Sequence, residues 1–250
     1  MDAVLNFIHP RGEIVSLLLV TIVLTAAAPR IALLVSLERR RVADLFWNAG
    51  IAFVVVGRAA YLLNEAPRTL LDPLVAIRVQ GGVAPLVGAL ASAGVLAWML
   101  HRASTTDAGA WLSAWGLGLT VAVAGYDLAC PLRDACYGAQ APAPLGFSMS
   151  GFADTRLATP LVEAAVLLAA LALLLRGWPR LHPGVPGLLL AATVAGLRLA
   201  LTPLSVGGWS GVTPEFLALA MVIAMSLAGL IVLQATPSPG ERPANGAPSG

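Results

Sequence analysis

The chain contains no lysine and has few charged residues of any kind. All 15 of its basic residues are arginine, its formal net charge is +2, and charged residues make up 11% of the 250 positions. A soluble domain has about a quarter charged residues. So small a net charge gives no support for nucleic-acid binding, and we expect no nucleic-acid partner. Low charge, 58% apolar residues and a mean hydropathy of +0.83 predict that lipid surrounds most of the chain.

The chain also lacks the common sequence signatures of catalysis and metal binding. It has no HExxH helix, no Ser–His–Asp spacing and no glycine-rich phosphate loop. The spacing of its two cysteines, Cys130 and Cys136, does not match a paired CxxC zinc site. These cysteines could form a disulfide or remain two thiols, and the spacing leaves both alternatives open.

No segment alternates apolar and polar residues with a period of two, which excludes a membrane β-barrel. Instead, seven apolar segments reach or approach the roughly 20 residues that a helix needs to cross a bilayer. The sequence therefore predicts an all-α, polytopic transmembrane helical bundle of about seven spans. The predicted spans are 13–37, 44–63, 82–100, 110–129, 160–176, 186–204 and 213–234.

Proline-rich and arginine-rich positions define the limits of this bundle. Pro29-Arg30 interrupts the first span and predicts a kink or an earlier helix end. Residues 1–235 form the predicted transmembrane domain, and the Pro, Gly, Ser and Ala composition of 236–250 predicts a disordered tail. The cluster Glu38-Arg39-Arg40-Arg41 directly follows the first span. By the positive-inside rule it predicts an N-terminus outside and a C-terminus in the cytoplasm.

Ionisable residues inside a membrane span are costly and are candidates for a functional site. The predicted spans contain Arg30, Arg58, Asp127, Glu163 and Arg198. The position of Arg198, in the middle of the predicted helix, makes it the strongest candidate. The alternative for each residue is a structural ion pair or a water-exposed helix end. Two buried arginines facing one cavity would form an anion site, best suited to a lipid phosphate.

Four stretches carry a family pattern in the same order along the chain. They are Gly57-Arg58-Ala59-Ala60-Tyr61 with the loop Leu71–Val83 that follows it, Asp134-Ala135-Cys136-Tyr137-Gly138, Leu161-Val162-Glu163, and Gly196-Leu197-Arg198. Their order and spacing resemble the bacterial phosphatidylglycerol–prolipoprotein diacylglyceryl transferase family. The resemblance covers most of the chain, from about residue 40 to 234.

This resemblance implies a transferase of the bacterial inner membrane that acts in lipoprotein biosynthesis. Such an enzyme moves the diacylglyceryl group of phosphatidylglycerol to the lipobox cysteine of a prolipoprotein, in a site toward the outer leaflet. The implied partners are phosphatidylglycerol, the prolipoprotein signal peptide and membrane lipids, with no cofactor and no metal. The implied catalytic residues are Arg198, Glu163 and Tyr61. The implied phosphate-binding residues are Arg58, Arg198 and Arg133.

Several family positions hold other residues in this chain. Leu86 stands about where the family has the histidine of its His-Gly-Gly-Leu motif, and Asp127 stands where it has a phosphate-binding arginine. Arg133 is the candidate to replace that arginine. Three hypotheses follow: a divergent transferase, a non-catalytic relative that binds lipid or a lipoprotein, and an unrelated small-solute transporter.

Overall fold

A computed structural model describes residues 12–65, 84–103, 108–133, 136–142, 146–148, 154–178, 181–204 and 213–235. Over these residues the chain is an all-α helical bundle with one hairpin, whose two strands have two residues each. The helices are α1 Gly12–Val35, α2 Arg39–Glu65, α3 Pro85–Arg102, α4 Ala108–Leu128, α5 Thr159–Gly177, α6 Val185–Leu201 and α7 Pro214–Ala235. Antiparallel strands β1 Phe147–Ser148 and β2 Thr155–Arg156 lie between α4 and α5.

Each predicted span corresponds to one helix, and six of the seven helices are long and apolar enough to cross a membrane. The exception is α3, whose last turn contains His101 and Arg102 and which packs mainly along α2. The predicted multi-pass helical membrane protein is therefore confirmed, with six helices that meet the length and hydropathy of a span. The predicted tail 236–250 and the predicted loop 66–83 lie outside the described residues.

Prolines start four of the helices, because proline lacks the N–H that a first helical turn leaves unpaired. Pro85, Pro160, Pro186 and Pro214 occupy the first or second position of α3, α5, α6 and α7. Gly184 precedes α6 with a φ of +97°, a conformation that L side chains rarely adopt. By contrast, α1 runs through Pro29 to Val35, so the predicted earlier end is not found.

The centre of the bundle is α4, which packs against α1, α5 and α6. Glycines allow its close approach to α6: a Cβ added at Gly116 would lie 2.5 Å from the carbonyl oxygen of Gly187. Small residues at such contacts are typical of helices that associate in lipid. A small buried cluster of Ala124, Ala164, Leu167 and Val194 joins α4, α5 and α6. These three helices therefore form one packed unit.

Consecutive helices alternate in direction, so their termini gather at two ends of the bundle. The end that holds Leu128, Thr159 and Leu201 is here named the disulfide end. The end that holds Val35, Arg102 and Gly177 is named the basic end. The larger buried cluster, which includes Ile31, Val42 and Trp111 among others, lies toward the basic end.

Candidate functional site

The ion pair between Glu163 and Arg198 joins α5 to α6 at the disulfide end. Arg198 Nε donates to Glu163 Oε1 over 2.8 Å. The Glu163 side chain is 10% exposed and the Arg198 side chain 39%. Glu163 lies about 6 Å along α5 from its first residue, by the rise of an α-helix. The pair therefore lies about one helical turn inside the bundle.

The position of Arg198 corrects a prediction from the sequence. The expected mid-helix position assumed that one α-helix ran to Leu204. Instead α6 ends at Leu201 and continues as the 3₁₀ turn Thr202–Leu204, which places Arg198 in the last α-helical turn.

The Arg198 guanidinium has more donors than the one that Glu163 uses. A guanidinium has five N–H donors in a planar fork, and Glu163 accepts from the one on Nε. Among the residues that the structure describes, none accepts from the other N–H groups of Arg198. The remaining donors have the geometry that binds phosphate or carboxylate oxygens in a bidentate manner.

A second carboxylate, Asp127, adds negative charge near this pair. Asp127 is buried in the last turn of α4, and its charge acts on Arg198 together with that of Glu163. The three groups thus combine one positive and two negative charges. Such a set does not attract anions over a distance. A phosphate would bind here through short-range hydrogen bonds to Arg198.

Arg58 and Tyr61 form a separate group on α2. Arg58 is buried, and its guanidinium carbon lies 5.4 Å from the centroid of the Tyr61 ring, within the range of a cation–π contact. Both residues lie on α2, which packs mainly against α3, whereas the ion pair joins α5 to α6. The sequence placed Arg58 and Arg198 in one cavity, and that shared cavity stays a prediction.

A loop connects the three helices that carry Asp127, Glu163 and Arg198. Its residues 136–142 are here named the clasp. Gly138 N donates to Leu157 O over 2.7 Å, just before α5, and Ala139 N donates to Leu204 O over 2.7 Å, just after α6. Thr159 Oγ1 also donates to Leu204 O, over 3.2 Å. The clasp therefore fastens the start of α5 to the end of α6.

A disulfide between Cys130 and Cys136 fastens the clasp to the end of α4. It decides between the two alternatives that the cysteine spacing left open. Because disulfides persist in oxidising compartments, this bond supports the predicted orientation with the disulfide end outside. The arginine cluster at the opposite end supports the same orientation independently.

Other predicted residues fall in less informative places. Arg133 ends the 3₁₀ turn Cys130–Arg133, and its side chain lies outside the described part of the chain. Leu71–Val83 also lies outside it. Arg30 is exposed near the basic end, and Leu86 is half-buried in the first turn of α3. Within the described ranges no three His, Cys, Asp or Glu residues group as metal ligands would.

Comparison with known proteins adds no relative. No family model matches the chain, and no curated protein matches it in sequence. The chain is thus established as a multi-pass helical bundle with a partly exposed ion pair at its disulfide end.

Proposed function

We propose that the chain is a divergent diacylglyceryl transferase of the bacterial inner membrane. It binds phosphatidylglycerol at the disulfide end and transfers the diacylglyceryl group to the lipobox cysteine of a prolipoprotein. The observation that carries this proposal is the Arg198 guanidinium, whose Nε donates to Glu163 and whose other N–H groups have no acceptor among the residues that the structure describes. The sequence resemblance supplies the reaction.

Arg198 has two roles in this proposal. Its open N–H groups hold the lipid phosphate, and the same groups stabilise the charge on glycerol phosphate as it leaves. Glu163 orients the guanidinium through the Nε bond, so that less conformational entropy is lost when the lipid binds. The flanking carboxylates make binding depend on direct contact with Arg198.

The reaction forms one bond and breaks one. The cysteine sulfur attacks the glyceryl carbon, a carbon–sulfur bond forms, and the carbon–oxygen bond to phosphate breaks. Glycerol phosphate takes the bonding electron pair. The thiol proton needs an acceptor, because the thiolate is the nucleophile. The carboxylates of Glu163 and the buried Asp127 are the proposed acceptors of this proton. Tyr61 is the third proposed catalytic residue, from the sequence resemblance, and does not act as the base.

A second candidate function is a non-catalytic protein that binds lipid or a lipoprotein. Leu86 favours it, because this apolar side chain stands in α3 about where the resemblance places a histidine. Such a protein would keep the phosphate contact at Arg198 and lose the transfer step.

The proposal is tested in bacterial cells depleted of their own diacylglyceryl transferase. The full chain is expressed with a tagged prolipoprotein, and mass spectrometry of the lipobox peptide detects the added diacylglyceryl group. We expect modification by the native chain and by Arg176→Gln, which removes an exposed arginine at the basic end. We expect none with Arg198→Gln. An inserted native chain that leaves the prolipoprotein unmodified rules out the enzyme, and retained lipid binding then selects the second candidate.

A further inference from the structure

The side chains that the structure describes are charged very differently at the two ends of the bundle. Six exposed arginines lie toward the basic end, accompanied by the exposed acids Glu38 and Asp44, which leaves four net positive charges. The arginines are Arg30, Arg39, Arg40, Arg41, Arg102 and Arg176. At the disulfide end the described basic and acidic side chains balance. These are Arg58, Arg156 and Arg198 against Asp127, Asp154 and Glu163.

Tryptophan side chains at the basic end indicate that this end lies at the level of lipid headgroups. Trp98 is 51% exposed in the last turns of α3, and the Arg102 guanidinium carbon lies 4.4 Å from its ring centroid. Trp178 follows α5, and its Nε1 donates to Leu34 O over 2.9 Å. Tryptophan is enriched where hydrocarbon meets headgroups. We therefore expect the stacked Arg102 at the depth of lipid phosphates.

The arginine cluster at the start of α2 is accessible to a ligand. Arg39, Arg40 and Arg41 are all exposed. Arg41 lies 3.7 Å from Glu38, but both side chains stay more than half exposed, at 55% and 66%. Pairs of this kind contribute little and are readily exchanged for other anions. The cluster also occupies the first turn of α2, where the helix dipole favours negative charge.

We propose that the basic end binds the headgroups of anionic phospholipids. The surface consists of the Arg39–Arg41 cluster and the stacked pair Trp98 and Arg102. The four net positive charges of the basic end attract an anionic leaflet, and the Trp98 ring holds the Arg102 guanidinium against the phosphates. This surface lies at the opposite end of the bundle from Glu163 and Arg198 and does not depend on the proposed transferase activity.

The test uses phosphatidylserine, an anionic lipid that is not the proposed substrate. The full chain in a neutral detergent is titrated with dioleoylphosphatidylserine and separately with dioleoylphosphatidylcholine. Dissociation constants come from native mass spectrometry. We expect a preference for phosphatidylserine of about tenfold or more at low salt, decreasing as salt is added.

Variants locate the site. The combined substitution Arg39→Gln, Arg40→Gln and Arg41→Gln should reduce the preference to less than about threefold, and Arg102→Gln should reduce it partly. Arg156→Gln at the disulfide end should leave it unchanged. Arg102→Gln keeps the test valid if the triple variant does not fold. Equal affinity of the native chain for both lipids, or loss of the preference in Arg156→Gln with its retention in the triple variant, would overturn the proposal.

Discussion

The two ends of the bundle use the same amino acid in different ways. Arginines at the basic end are exposed and outnumber the acids near them. At the disulfide end Arg198 is bound to Glu163, Arg156 lies 3.3 Å from Asp154, and Arg58 stacks on Tyr61. Exposed arginines set orientation and contact the membrane surface. Paired arginines inside the bundle are held in fixed positions, which is what a binding site requires.

The connections between helices also differ between the two ends, being shorter at the basic end in the cases compared below. At the basic end three residues join α1 to α2, and seven residues join α5 to α6. At the disulfide end the 30 residues between Leu128 and Thr159 contain a disulfide, the clasp and a hairpin. Longer connections mounted on a packed scaffold commonly carry function. The comparison therefore supports the proposed site at the disulfide end.

Labelling of introduced cysteines should give the largest effect. On intact cells, we expect a cysteine at the disulfide end to react nearly completely and one at the basic end to react almost not at all. The chain has two cysteines, and both are in the disulfide, so an added cysteine is the free thiol that a maleimide detects. Ser148→Cys at the disulfide end should react with a membrane-impermeant maleimide on intact cells. Ser36→Cys at the basic end should react only after the cells are opened. The reverse labelling pattern would show that the disulfide end faces the cytoplasm, which would contradict the predicted orientation.

Removal of one partner of the ion pair should have the next largest effect. Glu163→Ala leaves the Arg198 charge without its carboxylate, and we expect a loss of about 2 kcal/mol in the free energy of unfolding. This loss of stability is smaller than the roughly 3–5 kcal/mol expected when one partner of a fully buried pair is removed, because the Arg198 side chain is partly exposed. Unfolding in mixed micelles measures the loss. The double variant Glu163→Ala, Arg198→Ala should recover part of it, and strictly additive losses would show that the two side chains do not interact.

Loss of the disulfide should cost about 2 kcal/mol, from the entropy that closure of a short loop removes from the unfolded chain. The variant is Cys130→Ser with Cys136→Ser. Amide hydrogen exchange should increase in the clasp and near Thr159 and Leu204, and should stay unchanged near Val35 and Arg102. An equal increase at both ends would contradict a clasp that acts locally.

Gly138→Ala should have the smallest effect, about 1–2 kcal/mol. A Cβ at this position would lie 2.7 Å from Leu204 O and would also collide with Thr159 Oγ1, so the clasp must shift. Gly196→Ala in α6 is the matched control, because nothing lies within 4 Å of its Cβ position and alanine favours a helix. Relative to the native chain, the unfolding temperature should fall for Gly138→Ala and rise for Gly196→Ala. Identical unfolding temperatures of the two variants would show that the clasp tolerates the added methyl group.

Hydropathy predicted the helices well because a bilayer requires long apolar segments whose backbone groups are paired internally. All seven predicted segments match observed helices to within a few residues, apart from the start of α2, which begins at Arg39 rather than near residue 44. That start lies in a charged stretch, where apolar content is a poor guide. The earlier helix end predicted at Pro29 is wrong. The helix continues past this proline to Val35, and Ala28, Ile31 and Ala32 on either side of it pack in the core.

The site was harder to predict because it depends on contacts between distant residues. Glu163 and Arg198 are 35 positions apart, and whether they meet depends on how α5 and α6 are rotated against each other. Sequence analysis identified both residues but not their pairing. Similarly, the path of the clasp decides whether Cys130 and Cys136 are joined. The buried position of Asp127 near Arg198 depends on the packing of α4 between the other helices.

The most direct measurement of the central claim is the affinity for phosphatidylglycerol with and without the Arg198 guanidinium. The background is the triple Arg39→Gln, Arg40→Gln, Arg41→Gln chain, so that lipid bound at the basic end does not obscure the result. Native mass spectrometry compares this chain with the same chain carrying Arg198→Gln, and with Arg176→Gln as control. We expect Arg198→Gln to weaken binding about tenfold or more and Arg176→Gln to leave it unchanged. Equal affinity in all three chains would contradict a phosphate site at Arg198.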